Sequence, residues 1–201
     1  MDRIKAAFVA LLLSASPAVL AQAPAMKLNM DSSFYLGAGI GRSEARNFCT
    51  IGGACDAKDV TWNLFAGYRF HRNVALEAAY TNFGEATTSG FIGGVPSRVT
   101  AESTAFEVVA VGLVPLGDNF SLYGKAGFFR YDSDATATGG AVGTSRDKGT
   151  ELTFGFGAEY SFTSAWAARV EWQRYLDVGS EILNVPKGDI SVLRVGARYA
   201  F

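Results

Sequence analysis

The residues best suited to acid–base chemistry are two glutamates and the single histidine. Glu159 and Glu171 could pair as a general acid and a general base, and His71 could activate a serine nucleophile. However, arginines such as Arg169 are interleaved with the glutamates, and His71 stands in the segment HRN, which is typical of a tight turn. We therefore expect salt bridges and a surface histidine, and we predict that the protein is not an enzyme.

The two cysteines, Cys49 and Cys55, lie close together in the segment CTIGGAC. In an exported chain, a close and even pair favours a local disulfide bond. A metal site is a poor alternative, because the chain offers one histidine and no further thiol. We predict a Cys49–Cys55 disulfide that stiffens one loop, and no metal or cofactor.

The last twelve residues, ISVLRVGARYAF, alternate between two kinds of side chain. Arg194 and Arg198 fall on one face of a strand, whereas Leu193, Tyr199 and Phe201 fall on the other. A soluble sandwich could turn that oily face to a core, and a membrane barrel could turn it to lipid. The elements that precede this strand must decide between them.

The N-terminus indicates export. Residues 1–21, MDRIKAAFVALLLSASPAVLA, combine a charged start, a short apolar run and small residues, and so predict a signal peptide cleaved after Ala21. A retained membrane anchor is the alternative. We expect a short periplasmic segment over 22–32 and one domain over 33–201. The formal net charge of −1 does not favour a nucleic-acid partner.

Eight segments alternate apolar with polar or small residues in the manner of strands. They cover residues 33–43, 60–70, 74–83, 104–116, 120–131, 151–162, 166–173 and 190–201. Most are about 10–13 residues long, which suits a tilted strand crossing a bilayer. After residue 21 no apolar run is long enough for a spanning helix, so a membrane-spanning chain would need a closed barrel.

The connections between these segments alternate between short and long. HRN, GDN and TSA predict tight turns, and the other links are longer and rich in small polar residues. This asymmetry predicts an all-β fold, an eight-stranded antiparallel up-and-down transmembrane β-barrel with both ends in the periplasm. A lipocalin-like soluble barrel is the alternative.

Aromatic residues on the oily face form two groups, as membrane belts do. One group lies near the short turns and the other toward the long links, and a soluble barrel would not need either. The first comprises Phe34, Phe70, Phe120, Phe162, Trp166, Tyr199 and Phe201, and the second Trp62, Tyr80, Phe106, Phe128, Phe154 and Trp172.

The opposite face carries charges of both signs, which we expect to fill the barrel lumen as a charge network. Its predicted members are Arg69, Glu77, Glu107, Lys125, Glu159, Arg169, Glu171, Arg194 and Arg198, with Glu151 on the same face. An eight-stranded barrel is just wide enough for side chains to fill it, and buried charges must pair. The network could plug the barrel or form a narrow, gated diffusion pore.

The segments GYRFHRNVALEAAYTNFG, GAEYSFTSAWAARVEWQRY and ISVLRVGARYAF resemble the OmpA-like transmembrane domain family of Gram-negative bacteria. The resemblance implies an outer-membrane location and insertion by the barrel-assembly machinery, which would read Tyr199 and Phe201. It also implies lumen charges at Glu77, Glu159, Arg169 and Glu171. The family's lysine on the fourth strand is replaced by Ala110, and Lys125 could serve instead. Because the chain ends at the barrel, we expect no peptidoglycan-binding domain.

Recognition, if any, should lie in the long links, because loops on a rigid scaffold carry binding functions. The segments TTSGFIGGVPSRV and GSEILNVPKG would expose Phe91, Ile92, Ile182 and Leu183 to an extracellular partner. On the outward face, Arg130 and Arg174 could meet phosphates of lipopolysaccharide among the outer-membrane lipids. We predict an integral outer-membrane protein with a structural or surface-interaction role.

Overall fold

The structure, a computed structural model, describes residues 33–45, 54–56, 58–92, 94–140, 142–178 and 188–201. Strands make up nearly all of these residues. They are β1 (Ser33–Ala45), β2 (Ala54–Asp56), β3 (Lys58–His71), β4 (Val74–Ile92), β5 (Val95–Pro115), β6 (Phe120–Thr138), β7 (Gly143–Ser161), β8 (Trp166–Val178) and β9 (Gly188–Ala200).

Eight of these strands close into an antiparallel ring in the order β1-β3-β4-β5-β6-β7-β8-β9, with β9 pairing back onto β1. Among the described residues, the short strand β2 pairs with β4, beside the ring. The predicted eight-stranded antiparallel barrel is therefore confirmed. Closure pairs the backbone of every strand within the ring on both sides, which a structure in lipid requires.

The two faces of each strand differ as the alternation predicted. On β6, Phe128 is 64% exposed on the outside of the barrel, whereas its neighbour Phe129 is 1% exposed on the inside. The aromatic residues near the short turns are all exposed, as are most of those toward the other end of the barrel. The outside of the ring is thus a continuous apolar surface between two aromatic belts.

The three predicted tight turns are confirmed. Arg72 and Asn73 join β3 to β4, residues 116–119 join β5 to β6, and residues 162–165 join β7 to β8. The backbone N–H of Leu116 donates to the Phe120 carbonyl at 2.7 Å, and Phe162 donates to Trp166 at 2.9 Å. Gly117 has φ +87°, a backbone conformation that favours glycine.

The prediction of long loops after residues 83 and 131 is wrong. There β4 and β5 continue as a paired hairpin to Ile92 and Val95, and β6 and β7 continue to Thr138 and Gly143. These segments, residues 84–103 and 131–150, are named the outer hairpins below. They also pair with each other, since β5 meets β6 as far as Arg98 and Thr138. Threonine and valine favour strands, and neighbouring strands satisfy the backbone without a buried face.

No helix in the described part of the chain is long and apolar enough to cross a membrane.

Candidate functional site in the barrel interior

The nine predicted lumen charges all lie on interior faces of the strands. Eight of them are buried, and Arg69, near the periplasmic end of β3, retains 22% of its side-chain exposure. Strand alternation explains this placement. Side chains point alternately to the two faces of a strand, and each of these charged residues lies on the same face as nearby buried residues of its strand. The charges are divided between two networks, one nearer the periplasmic turns and one nearer the outer hairpins.

The periplasmic network is built around two carboxylates. Arg198 donates two hydrogen bonds to Glu159, from Nη2 at 2.7 Å and from Nε at 3.1 Å. Arg169 joins the two acids, with its Nη2 2.8 Å from Glu77 Oε1 and its Nε 3.3 Å from Glu159 Oε2. Arg69 Nη2 lies 3.9 Å from Glu159. Three guanidinium groups therefore share two carboxylates, which compensates the cost of burying them.

The outer network is built around Glu171 and Glu107. Arg194 Nη2 lies 2.7 Å from Glu171 Oε1 and Lys125 Nζ lies 3.0 Å from the same oxygen. Lys125 also reaches Glu107 at 3.5 Å, and Gln173 Nε2 donates to Glu107 at 2.6 Å. Lys125 on β6 thus supplies a cation to the lumen. The sequence suggested that it could replace the family's lysine, whose place on the neighbouring strand is taken by Ala110.

Neutral polar side chains complete both networks, and the sequence reading missed them. Tyr35 donates its hydroxyl to Glu77 at 2.8 Å, and Tyr123 donates to Glu171 at 3.1 Å. Arg194 also donates to Gln173 and to the hydroxyl of Tyr175. Each of these residues is buried and lies on the interior face of its strand. Its place in the apolar–polar alternation is the sequence signal that could have identified it.

Two apolar layers accompany the charges. The periplasmic plug consists of the buried cluster Tyr35, Phe65, Ala75, Ala79, Val109, Val111, Leu113 and Tyr123. The outer plug consists of the buried cluster Phe83, Ala105, Phe129, Tyr131, Tyr175, Val178, Ile190 and Val192. In the outer plug the ring of Tyr175 packs edge-on against Phe83 and Phe129, at centroid distances of 4.7 and 5.0 Å. Apolar contacts therefore fill part of the lumen beside the ion pairs.

The periplasmic plug also contacts the cations. The guanidinium carbon of Arg169 lies 4.5 Å from the ring centroid of Tyr123 and 4.8 Å from that of Phe65. A cation between two aromatic faces gains a further favourable interaction in a dry site. Arg169 is thereby fixed by two carboxylates and two rings.

Interior glycines make room for these rings. A Cβ on Gly67 would lie 2.2 Å from Cζ of Tyr35, the residue directly opposite on β1. The ring therefore lies across the neighbouring strand, where only glycine fits. The same cross-strand arrangement occurs in the pairs Phe65–Gly37, Tyr123–Gly157 and Tyr131–Gly149.

The predicted contact and disulfide residues are only partly described. Phe91 is exposed near the end of β4. The side chain of Ile92, and Ile182 and Leu183, lie outside the described residues. Cys49 does as well, together with the side chain of Cys55, so the disulfide bond stays a prediction.

The two outward arginines differ. Arg130 is exposed on β6, whereas Arg174 forms an ion pair with Asp189 at 2.7 Å. At the C-terminal end, the Tyr199 and Phe201 rings are exposed and 5.1 Å apart. The backbone N–H of Phe201 donates to the Phe34 carbonyl at 3.0 Å, which ties this end to β1.

A closed eight-stranded barrel with an apolar, aromatic-belted outside and a polar inside is the architecture of integral proteins of the bacterial outer membrane. Solved structures agree with this class. The outer membrane protein OprG from Pseudomonas aeruginosa aligns with a TM-score of 0.58 and 13% identity, over 85% of this chain and 96% of that one. Neisserial surface protein A aligns with a TM-score of 0.57 and 17% identity, over 85% and 99%.

The chain belongs to the OmpA-like transmembrane domain family, whose profile matches residues 29–201. It is 26% identical over 180 residues to outer membrane protein A of Shigella flexneri. That match covers 85% of this chain and 49% of the relative, so the chain spans about half the length of that protein. The protein is located in the bacterial outer membrane, as predicted.

Proposed function

We propose that this protein is a structural and surface-interaction protein of the outer membrane, whose filled barrel does not conduct. The observation that carries the proposal is the filling of the lumen by two ion networks and two apolar plugs. An eight-stranded barrel has little more space than its own side chains need. The outer hairpins then remain as the parts available to a partner.

The main test is ion conductance of the refolded protein in a planar bilayer. We expect a silent membrane from wild type and from Arg169→Ala, because the outer plug and the Arg194 network stay in place. Arg146→Ala, on an outer hairpin, is the matched control. Different migration of unboiled and boiled samples on a denaturing gel shows that each variant is folded.

The second candidate is a narrow, gated diffusion pore. It is favoured by the row of interior charges from Arg69, which is partly exposed, to the buried Arg194. Reproducible openings that Arg169→Ala alters and Arg146→Ala does not would support this pore and contradict the filled barrel.

We also propose that the protein is not an enzyme. His71 lies at the periplasmic turn, where its Nδ1 accepts a hydrogen bond of 3.4 Å from the backbone N–H of Asn73. Glu159 and Glu171, the other acid–base candidates, are engaged by arginines and a lysine. Labelling of the refolded protein by a serine-directed fluorophosphonate would contradict the proposal.

We also propose two partners for the outside of the barrel. Arg130, which is exposed on β6, would contact lipopolysaccharide phosphates, and Arg174 would do so less because Asp189 already pairs with it. Unchanged detergent sensitivity of cells carrying Arg130→Ala would count against this contact.

Tyr199 and Phe201 are proposed as the signal for the barrel-assembly machinery. Phe201→Ser should then lower assembly in cells but not refolding in detergent.

A further inference from the structure

The ends of the two outer hairpins carry exposed apolar side chains. Phe91 is 72% exposed, Val142 is 85% exposed and Val95 is 47% exposed. These three residues are named the apolar tip. Single exposed apolar residues are ordinary, but the grouping of three at the ends of neighbouring hairpins is not explained by the barrel.

The two hairpin ends are joined, so the apolar tip lies at one end of a single sheet. The backbone N–H of Gly140 donates to Ser97 Oγ at 2.9 Å, and Thr138 Oγ1 donates to the Arg98 carbonyl at 3.4 Å. A Cβ on Gly139 would lie 2.1 Å from the Pro96 carbonyl oxygen, so the backbones are in close contact here. Phe91 and Val95 lie on opposite faces of their hairpin, so a lipid surface would meet the tip end-on rather than along one face.

The apolar tip lies far from the bilayer that holds the barrel. Within β5, residues 95–106 lead from the tip down to Phe106 of the outer aromatic belt. At roughly 3.3 Å per residue this is about 35 Å of strand. The barrel's own lipid therefore cannot cover the tip.

The charges around the tip have one sign. Residues 86–101 and 135–146 contain no aspartate or glutamate, but they contain Arg98 and Arg146. Acidic residues begin below the tip, at Glu85, Glu102 and Asp134. Arg146 is already paired with Asp132 and Asp134, so Arg98 is the cation that makes this apolar end complementary to an anionic lipid surface.

We propose that the apolar tip inserts into the headgroup region of a facing lipid bilayer that contains anionic lipids. Phe91 and Val142 enter the interface, and Arg98 meets the lipid phosphates. An aromatic side chain at headgroup depth is a favoured membrane contact. This inference rests on the surface-interaction role proposed above and names its partner.

The test uses the whole barrel refolded into nanodiscs of zwitterionic lipid and mixed with separate vesicles. Vesicles of phosphatidylcholine with phosphatidylserine should carry the nanodiscs upward on flotation, and vesicles of phosphatidylcholine alone should carry far less. The double variant Phe91→Ser and Val142→Ser should reduce the bound fraction about tenfold, since two apolar side chains are lost. Arg98→Gln should reduce it by a smaller factor.

Matched variants separate the tip from the rest of the hairpins. Ala137→Ser changes polarity below the tip, and Glu102→Gln changes charge on the same strand as Arg98, so neither should weaken binding. In the variant Phe91→Trp, brominated lipid in the vesicles should quench the fluorescence of the new tryptophan, because the side chain would lie among the lipids. Absence of flotation would overturn the proposal. Flotation that the serine variants do not change, or a lack of quenching, would also overturn it and would indicate that another part of the protein contacts the vesicle surface.

Different results would overturn the membrane insertion of the tip and the filled barrel proposed above. A silent barrel that does not bind vesicles would overturn membrane insertion and leave the filled barrel intact. A conducting barrel would overturn the filled lumen whatever the vesicles show.

Discussion

The barrel interior and the outer hairpins contain ion pairs of the same length in opposite surroundings. Arg194 lies 2.7 Å from Glu171, with side-chain exposures of 2% and 8%. Lys148 on a hairpin also lies 2.7 Å from Asp132, with exposures of 47% and 33%. Water screens the second pair but not the first. Distance alone therefore does not indicate which pair the fold depends on.

Removing one partner of the buried pair should have the largest effect. Arg194→Ala leaves Glu171 with one cation fewer and removes the hydrogen bonds that Arg194 donates to Gln173 and Tyr175. We expect a loss of about 3–5 kcal/mol in the free energy of unfolding. Urea unfolding of barrels refolded into phospholipid vesicles measures it.

Two variants sharpen this comparison. Arg146→Ala, which removes an exposed hairpin cation, should leave the unfolding midpoint unchanged. The double variant Arg194→Gln and Glu171→Gln should recover part of the loss, because no unpaired charge stays buried. Equal effects of Arg194→Ala and Arg146→Ala would show that burial does not separate the two regions.

Tyr35→Phe should have a smaller effect on the same measurement. The ring keeps its place over Gly67, and the variant removes only the 2.8 Å hydrogen bond to Glu77. A hydrogen bond to a charged group contributes about 1.5–3 kcal/mol. Tyr199→Phe, on the lipid face, is the control and should be near neutral. A Tyr35→Phe barrel as stable as wild type would mean that Arg169 alone satisfies Glu77.

The smallest effect is expected from titrating the hairpin. The hydrogen bond from Lys148, followed by the charge of the nearby Arg146, lowers the pKa of the Asp132 carboxyl. A carboxylate with a lowered pKa stabilises its surroundings at neutral pH, and this contribution is lost as pH falls through that lowered pKa. Carbon NMR titration of Asp132 should show the depression, and Lys148→Gln should reduce it. A shift in barrel unfolding caused by Lys148→Gln at neutral pH would contradict the separation of the two regions.

Strand alternation was sufficient to place the lumen charges on the correct face, and part of their pairing also follows from the sequence. The TSA turn sets the register of β7 against β8, which places Glu159 opposite Arg169. β8 and β9 place Glu171 opposite Arg194, but the link between them is long and did not predict this register. Contacts across the lumen, such as Arg169 with Glu77, depend on barrel tilt and rotamers, which no local pattern encodes.

The hairpins were missed for a different reason. Above the membrane both faces of a strand meet water, so the apolar–polar alternation that identified the barrel strands is absent. What remains is strand propensity, as in Val99, Thr100 and Thr136. The apolar plugs were missed because Val109, Val111 and Leu113 lie in a segment that is apolar on both faces.

The seam between β1 and β9 has a consequence for how the molecule forms. Phe34 and Phe201 lie at opposite ends of the barrel sequence, and their backbones are bonded directly. Bringing together residues so far apart in the sequence costs chain entropy before their contacts stabilise the fold, and this slows folding. Until β9 is in place, two strands present unpaired edges in lipid. The first strand of the barrel therefore obtains its second neighbour only after the last strand has been synthesised, whatever the order in which the other strands pair.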